Sequence, residues 1–292
     1  MPIPILARNR GGSFAAGPAA PAVASGYALD DGTSTETYPI IHMDAGSGVT
    51  TTDDATYGDD LVTEWSSRIN TYDMIPHAGA LVRAPKYSAS SSNLNSKPVI
   101  VFDNSDTIQG GLNNISTTPV AGRNAIPSAV SQPYWVIMVV HYVTHGRSFW
   151  QAAADTWSND TSDRTWVLTH GSLGPRMTAG TGSFKYTNGS PSLGAFTVPS
   201  QNVWTWEVNG ADSYLYDGLN RYPFNGDVGS IGIEEDFAIG GNYYSPASML
   251  AADSEVAEAF IFDELSVTMD GDTLDGGDLK VVVDYLKTKY SI

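Results

Sequence analysis

The rhythm of the apolar residues limits what this chain can fold into more than any other feature. From Tyr38 onward, short apolar runs are separated by clusters of Gly, Asn, Asp, Ser and Pro, and helix signals are almost absent. Many short strands bounded by turn residues are the pattern of an all-β sandwich or barrel. Residues 99–102, 134–143, 166–170, 203–208, 214–216 and 257–262 read as strands. Asn209-Gly210 follows one of these runs and Asp217-Gly218 another. Such dipeptides supply the positive φ of a two-residue type I′ turn, so antiparallel hairpins are expected at both. The exception is residues 278–290, where Leu279, Val282, Val283, Leu286 and Tyr290 recur at three- and four-residue spacing and predict one amphipathic helix. Asp275 and Asp278 stand at its start as expected caps, and Lys287 and Lys289 at its negative end.

Composition enters as a set of exclusions. The chain has 292 residues, is 41% hydrophobic and 16% charged, and belongs with globular rather than disordered sequences. It carries 15 Lys+Arg against 32 Asp+Glu, a net charge of −17, which argues against nucleic acid because a phosphate-binding face needs clustered cations. With no cysteine there is no disulfide, thiolate metal ligand or Cys nucleophile. No apolar run approaches the roughly 20 residues of a membrane helix. The charge is unevenly placed: residues 1–29 hold Arg8 and Arg10 and no acid, leaving 13 − 32 = −19 for the remainder. Residues 11–26 are small residues and Pro with one aromatic, Phe14. Residues 1–26 are therefore expected to be an extended N-terminal arm, and 27–292 a single domain. The start lacks the charged n-region of a Sec signal, so export by that route is not expected.

The residues also carry a resemblance. Tyr38-Pro39-Ile40-Ile41-His42-Met43-Asp44-Ala45, then Val62-Thr63-Glu64-Trp65, then Lys97-Pro98-Val99-Ile100-Val101-Phe102-Asp103 resemble the opening of LamG-like domains of the concanavalin A-like lectin/glucanase superfamily. Ala257-Glu258-Ala259-Phe260-Ile261-Phe262-Asp263-Glu264-Leu265-Ser266 and Tyr285-Leu286-Lys287-Thr288-Lys289-Tyr290 resemble its ending. The resemblance spans about residues 38–290 and implies a concanavalin A-like jelly-roll sandwich of antiparallel strands, closed by the C-terminal helix. Residues 267–277 look like an insertion between the last strand and that helix.

Fold alone does not fix function, because this sandwich hosts lectins, glycosidases, lyases and structural modules. A glycosidase of this family would carry Glu-x-Asp-x-x-Glu or Glu-x-Asp-x-Glu on one strand, so that alternate side chains place two carboxylates on one face. Glu234-Glu235-Asp236-Phe237-Ala238-Ile239 has the first part and lacks the second Glu. His141 and His145 have metal-binding spacing only on a helix; on a strand they stand roughly 13 Å apart. The acidic runs at 52–60 and 270–278 could offer oxygen ligands to Ca²⁺, but charged turns and a helix cap explain them without metal. No metal site is assigned. Asn242, Tyr243 and Tyr244, beside Gly240-Gly241, are the candidate glycan-binding residues.

These readings lead to the expectation of a non-enzymatic structural protein of a virus particle, a capsid decoration or tail appendage with weak glycan binding. Its arm, through Arg8, Arg10 and Phe14, would dock on neighbouring subunits in an oligomeric assembly at the virion surface. A soluble, extracellular lectin for a cell-surface glycan is the alternative, and a polysaccharide hydrolase or lyase the third reading. No cofactor, nucleic acid partner or membrane insertion is expected.

Overall fold

The computed structural model describes residues 27–70, 72–76, 84–102, 129–143, 148–153, 164–168, 174–180, 183–187, 193, 199–233, 236–239 and 254–292. The expected arm with Arg8, Arg10 and Phe14 lies outside these residues, as do His145, Asn242, Tyr243 and Tyr244. In chain order the first strands are β1 (Tyr27–Ala28), β2 (Ser34–Thr35), β3 (Ile41–Asp44), β4 (Val49–Asp54), β5 (Gly58–Ser66), β6 (Asp73–Met74), β7 (Lys86–Ser91) and β8 (Lys97–Phe102). They continue as β9 (Tyr134–Tyr142), β10 (Ser148–Ala153), β11 (Arg164–Leu168), β12 (Arg176–Ala179), β13 (Lys185–Tyr186) and β14 (Ser200–Val208). The chain closes with β15 (Tyr214–Asp217), β16 (Asn220–Pro223), β17 (Asp236–Ile239), β18 (Ser254–Phe262), β19 (Thr268–Asp270), β20 (Thr273–Gly276) and the helix α1 (Gly277–Tyr290).

Every strand pairing among the described residues is antiparallel, which makes this the expected all-β sandwich with one C-terminal helix. The large sheet runs β19-β20-β16-β15-β14-β9-β18-β8-β7-β5-β4, with β3 added to β18 and β6 to β5. The second sheet runs β13-β12-β11-β10-β17. The central strand β9 shows why the large sheet is covered on both faces. Tyr134, Val136, Met138, Val140 and Tyr142 share a core with Trp150, Val167, Met177 and Phe237 of the second sheet. The intervening Trp135, Ile137 and Val139 share another with Leu279, Val282, Val283 and Leu286 of α1. Period-2 alternation sends successive side chains to opposite faces, so a strand apolar at every position is one buried on both. Burying each large apolar side chain contributes about 1.5–3 kcal/mol.

The strands expected at 99–102, 134–143, 203–208, 214–216 and 257–262 are present; that expected at 166–170 appears as β11, which begins at Arg164, Thr165 pairing with both Ala152 and Ala179, and residues 169–170 lie outside the described ones. The two hairpins form, with different turns. Between β14 and β15, Gly210–Asp212 make a 3-10 turn in which Ser213 Oγ accepts from Asn209 N at 2.8 Å and donates to Gly210 O at 2.9 Å. Between β15 and β16, Asp217 pairs with Asn220, so Gly218 (φ 58°) and Leu219 form the turn. Within residues 267–277, Thr268 to Gly276 form the β19–β20 hairpin, which extends the sheet edge through Thr273 opposite Asn220, and Gly277 opens α1.

The stripe on α1 is buried as expected, but its cap differs. The N-cap is Gly276, without a side-chain hydrogen bond, and the free amide of Asp278 donates instead to Ser266 Oγ at 2.8 Å. Asp278 turns its carboxylate away to accept from Glu36 N (3.0 Å) and Thr37 Oγ1 (3.3 Å). Gly277 has φ +81°, and a Cβ there would press into the Ser266 carbonyl. Gly277→Ala is therefore expected to destabilise the fold by about 1–3 kcal/mol or more in urea unfolding, and Ser266→Ala by about 1 kcal/mol.

Candidate functional site

Three chain segments that are remote in sequence converge between the outer face of the large sheet and the last turn of α1. In β3, Ile41 and Met43 enter the inter-sheet core while His42 and Asp44 point to the helix side. On the adjoining strand β18, Glu258 lies opposite Asp44 and Phe260 opposite His42. The His42 ring stacks on Phe260 with centroids 4.0 Å apart. From α1 come Lys289, Tyr290 and Tyr285; from the β1–β2 hairpin come Tyr27 and Asp30; Arg68 follows β5.

Glu258 is fully buried and uses both oxygens. Oε1 accepts from His42 Nε2 at 2.6 Å; Oε2 accepts from Lys289 Nζ at 2.8 Å and Tyr290 Oη at 2.9 Å. Tyr27 Oη meets the other ring nitrogen, Nδ1, at 2.5 Å. Nε2–H thus donates to the carboxylate, and the phenol completes the chain at the other ring nitrogen. Asp44 Oδ2 accepts from Arg68 (3.1 Å) and Lys289 (3.4 Å), and Oδ1 accepts from Gly46 N (2.7 Å). Arg68 also grips Asp30 with both terminal nitrogens, at 2.9 and 3.1 Å. Tyr285 Oη donates to Asp30 as well.

The electrostatics follow from these contacts. Burial works to raise Glu258, but the His42 hydrogen bond and charge and the Lys289 ammonium outweigh it and hold the carboxyl below its usual range. The Arg68 hydrogen bond, against burial and with help from Lys289, pulls Asp30 far down. Lys289 would be lowered by burial, yet Glu258 and Asp44 drive it upward. Burial pushes the Tyr27 phenol up to about 12. Glu258 is thus held as a carboxylate and committed to three donors, so it offers no proton for glycosidic acid catalysis, and the Asp44 oxygens are taken up by Arg68, Lys289 and Gly46 N. A carboxyl tuned in the acid direction lies elsewhere: Glu207 on β14 is raised by burial, and its Oε2 accepts from Tyr216 Oη at 2.7 Å.

Asp30 and Lys289 also line an open depression of about 300 Å³, together with Asp31, Lys97, Tyr285 and Thr288. Asp31 Oδ1 accepts from the backbone and hydroxyl of Thr33. Lys97 has no ion pair among the described residues.

None of the network residues was singled out as a functional candidate by sequence, although His42, Asp44, Glu258, Lys289 and Tyr290 all stand in the segments that carried the resemblance. The signal was present as polar side chains inside otherwise apolar strands: His42 and Asp44 at i, i+2, and Glu258 among Ala, Phe and Ile. Lys289, expected only to complement the helix dipole, turns inward to the carboxylates. His141 stands on β9 with Nδ1 3.5 Å from Glu255 Oε2. The acids of the 52–60 run hold turn amides: Asp54 accepts from Thr56 N and Tyr57 N, and Asp53 from Asp60 N. Of the incomplete glycosidase motif, Asp236 begins β17, and Glu234 and Glu235 lie outside the described residues.

No protein-family model and no curated protein matches the chain. Among solved structures, it is similar to an arabinofuranosidase complexed with arabinofuranosyl-α-1,2-xylobiose, with TM-score 0.47 and 10% identity over 89% of this chain and 61% of that one. Domain 4 of AbnA, an extracellular arabinanase of Geobacillus stearothermophilus in complex with arabinotriose, gives TM-score 0.45 and 13% identity over 86% of this chain and 98% of that one. A Trypanosoma rangeli sialidase in complex with 2,3-difluorosialic acid gives 0.49 and 8% over 89% and 35%. The chain therefore spans 61% and 35% of the first and third of these chains. The likeness is one of fold. The structures named here are glycosidases or a domain of one, against the expectations of a non-enzymatic virion protein and of no enzymatic activity, and both expectations are withdrawn.

Glu258→Gln is expected to destabilise the protein by about 3–5 kcal/mol, because it breaks a fully buried, cation-paired carboxylate. Since the native pKa of Glu258 lies below its ordinary value of 4.5, its contribution is present above that pH and is lost as pH falls through the lowered native value. The variant should accordingly show a flatter acid limb than the parent in unfolding free energy measured from pH 7 down to 3.

Proposed function

We propose that this chain is a carbohydrate-active sandwich domain of the LamG-like type, which holds a saccharide in the depression formed by Asp30, Asp31, Lys97, Tyr285, Thr288 and Lys289. The observation that carries the reading is the chemistry of that lining. Carboxylates accept from sugar hydroxyls, ammonium groups donate to hydroxyl and ring oxygens, and both kinds surround one concavity. The wall is also preorganised, since Arg68, Lys289 and Tyr285 fix Asp30, so little ordering cost falls on binding. Asp31 and Lys97 are the groups with the most capacity left for a ligand.

Isothermal titration against a panel of neutral oligosaccharides, arabinotriose among them, tests this. Lys97→Ala and Asp31→Asn should each weaken binding by roughly tenfold or more, the scale of a lost hydrogen bond to a charged group, with unchanged circular dichroism. Absence of binding across the panel, or binding indifferent to both substitutions, overturns it. A hydrolytic reading takes its candidate acid from Glu207, which burial raises and whose Oε2 accepts from Tyr216 Oη at 2.7 Å. Release of reducing ends from a polysaccharide panel should then be lost in Glu207→Gln while binding at the depression is retained.

A further inference from the structure

The network has the composition of a metal centre with its cation supplied by the chain. His42, Asp44 and Glu258 each present one donor atom, an imidazole nitrogen and two carboxylate oxygens, all within 4.8 Å of one another and all buried. Lys289 Nζ lies 2.8 Å from Glu258 and 3.4 Å from Asp44. We infer that His42, Asp44 and Glu258 form a latent divalent-cation site that the Lys289 ammonium occupies, so that the native fold is metal-independent and removal of Lys289 creates a zinc site.

The donor set suits the ion. Zinc takes imidazole nitrogen and carboxylate oxygen at about 2.0–2.2 Å in tetrahedral geometry, which puts donor atoms roughly 3.3 Å apart. The three donor atoms lie within 4.8 Å of one another and would draw in to that figure, while His42 Nε2 and Glu258 Oε1 move apart from 2.6 Å, with a water as fourth ligand in place of the lysine ammonium. The surrounding groups match as well. Coordination by Nε2 places the ring proton on Nδ1, which then donates to Tyr27 Oη, the type of outer contact that orients ligating histidines. Arg68 remains on Asp44 and Tyr290 on Glu258, leaving those carboxylates oriented. Charge favours exchange, because the two carboxylates lose one positive charge and gain two. In the native protein the same ammonium excludes the ion, being covalently tethered and already within hydrogen-bond reach of both carboxylates.

The test uses the full chain as wild type, Lys289→Ala and Lys289→Met, with ZnCl₂ as probe, read by isothermal titration and thermal unfolding. Wild type should show no stoichiometric zinc binding at the network and an unfolding temperature indifferent to chelator. Each lysine variant should bind one further equivalent of zinc and recover about 5 °C or more in unfolding temperature, reversed by chelator. The double variant Lys289→Met with His42→Phe should lose that equivalent. Equal zinc binding by wild type and both variants, no zinc-dependent rise in either variant, or retention of the equivalent in the double variant would each overturn the inference. If Lys289→Ala does not fold without metal, Lys289→Met, which keeps the aliphatic volume, carries the measurement.

Discussion

A carboxylate that is fully buried must be paired, and in this protein that requirement falls on Glu258. The solution draws in the whole periphery of the large sheet. Lys289 and Tyr290 hold the last turn of α1, His42 holds β3 and, through Tyr27, the β1–β2 hairpin, and Lys289 reaches on to Asp30 and Asp44. Apolar burial glues α1 to the sheet without direction, whereas these bonds fix where the helix ends and how it is rotated. The depression exists because of the same bonds, since Asp30 and Lys289 belong both to its wall and to the network.

The fold was legible in the sequence for a physical reason. A sheet covered on both faces is apolar at consecutive positions, and residues 134–140 and 259–262 are runs of that kind, which is why 134–143 and 257–262 read as strands. The helix was equally legible from Leu279, Val282, Val283 and Leu286. Turns were less so: Asn209-Gly210 satisfies the residue preference of a two-residue hairpin, but Gln132 Oε1 accepts from Gly210 N at 2.7 Å, a tertiary contact that the local pattern does not reveal. The helix cap escaped for the same reason, because Ser266 reaches Asp278 N across the β19–β20 hairpin.

The site was legible only in pieces. His42, Asp44 and Glu258 interrupt apolar strands, which marks each as a polar group in need of a partner, yet nothing local says that the partners are one another. Pairing of β3 with β18 supplies that information, bringing residues 44 and 258 into register across more than two hundred positions of chain. Lys289 was read as a helix-dipole partner because its position in the last turn already explains a cation there. A residue with a sufficient local explanation hides its tertiary one.

The network also changes what the net charge of −17 means. If cations and anions were scattered alike over the surface, each cation would screen several acids. Instead Arg68 and Lys289, two of the 15 Lys+Arg, are drawn into the network, where their charges are spent on Asp30, Asp44 and Glu258. The pairing removes three acids and two cations from the exposed balance, or from 15 − 32 to 13 − 29 = −16, so the acids outside the network keep nearly the whole excess. An acidic exterior of that size repels anions over a Debye length of about 8 Å at physiological salt. For the saccharide proposed at the depression, a net charge of this sign disfavours carboxylated or sulfated chains relative to neutral ones.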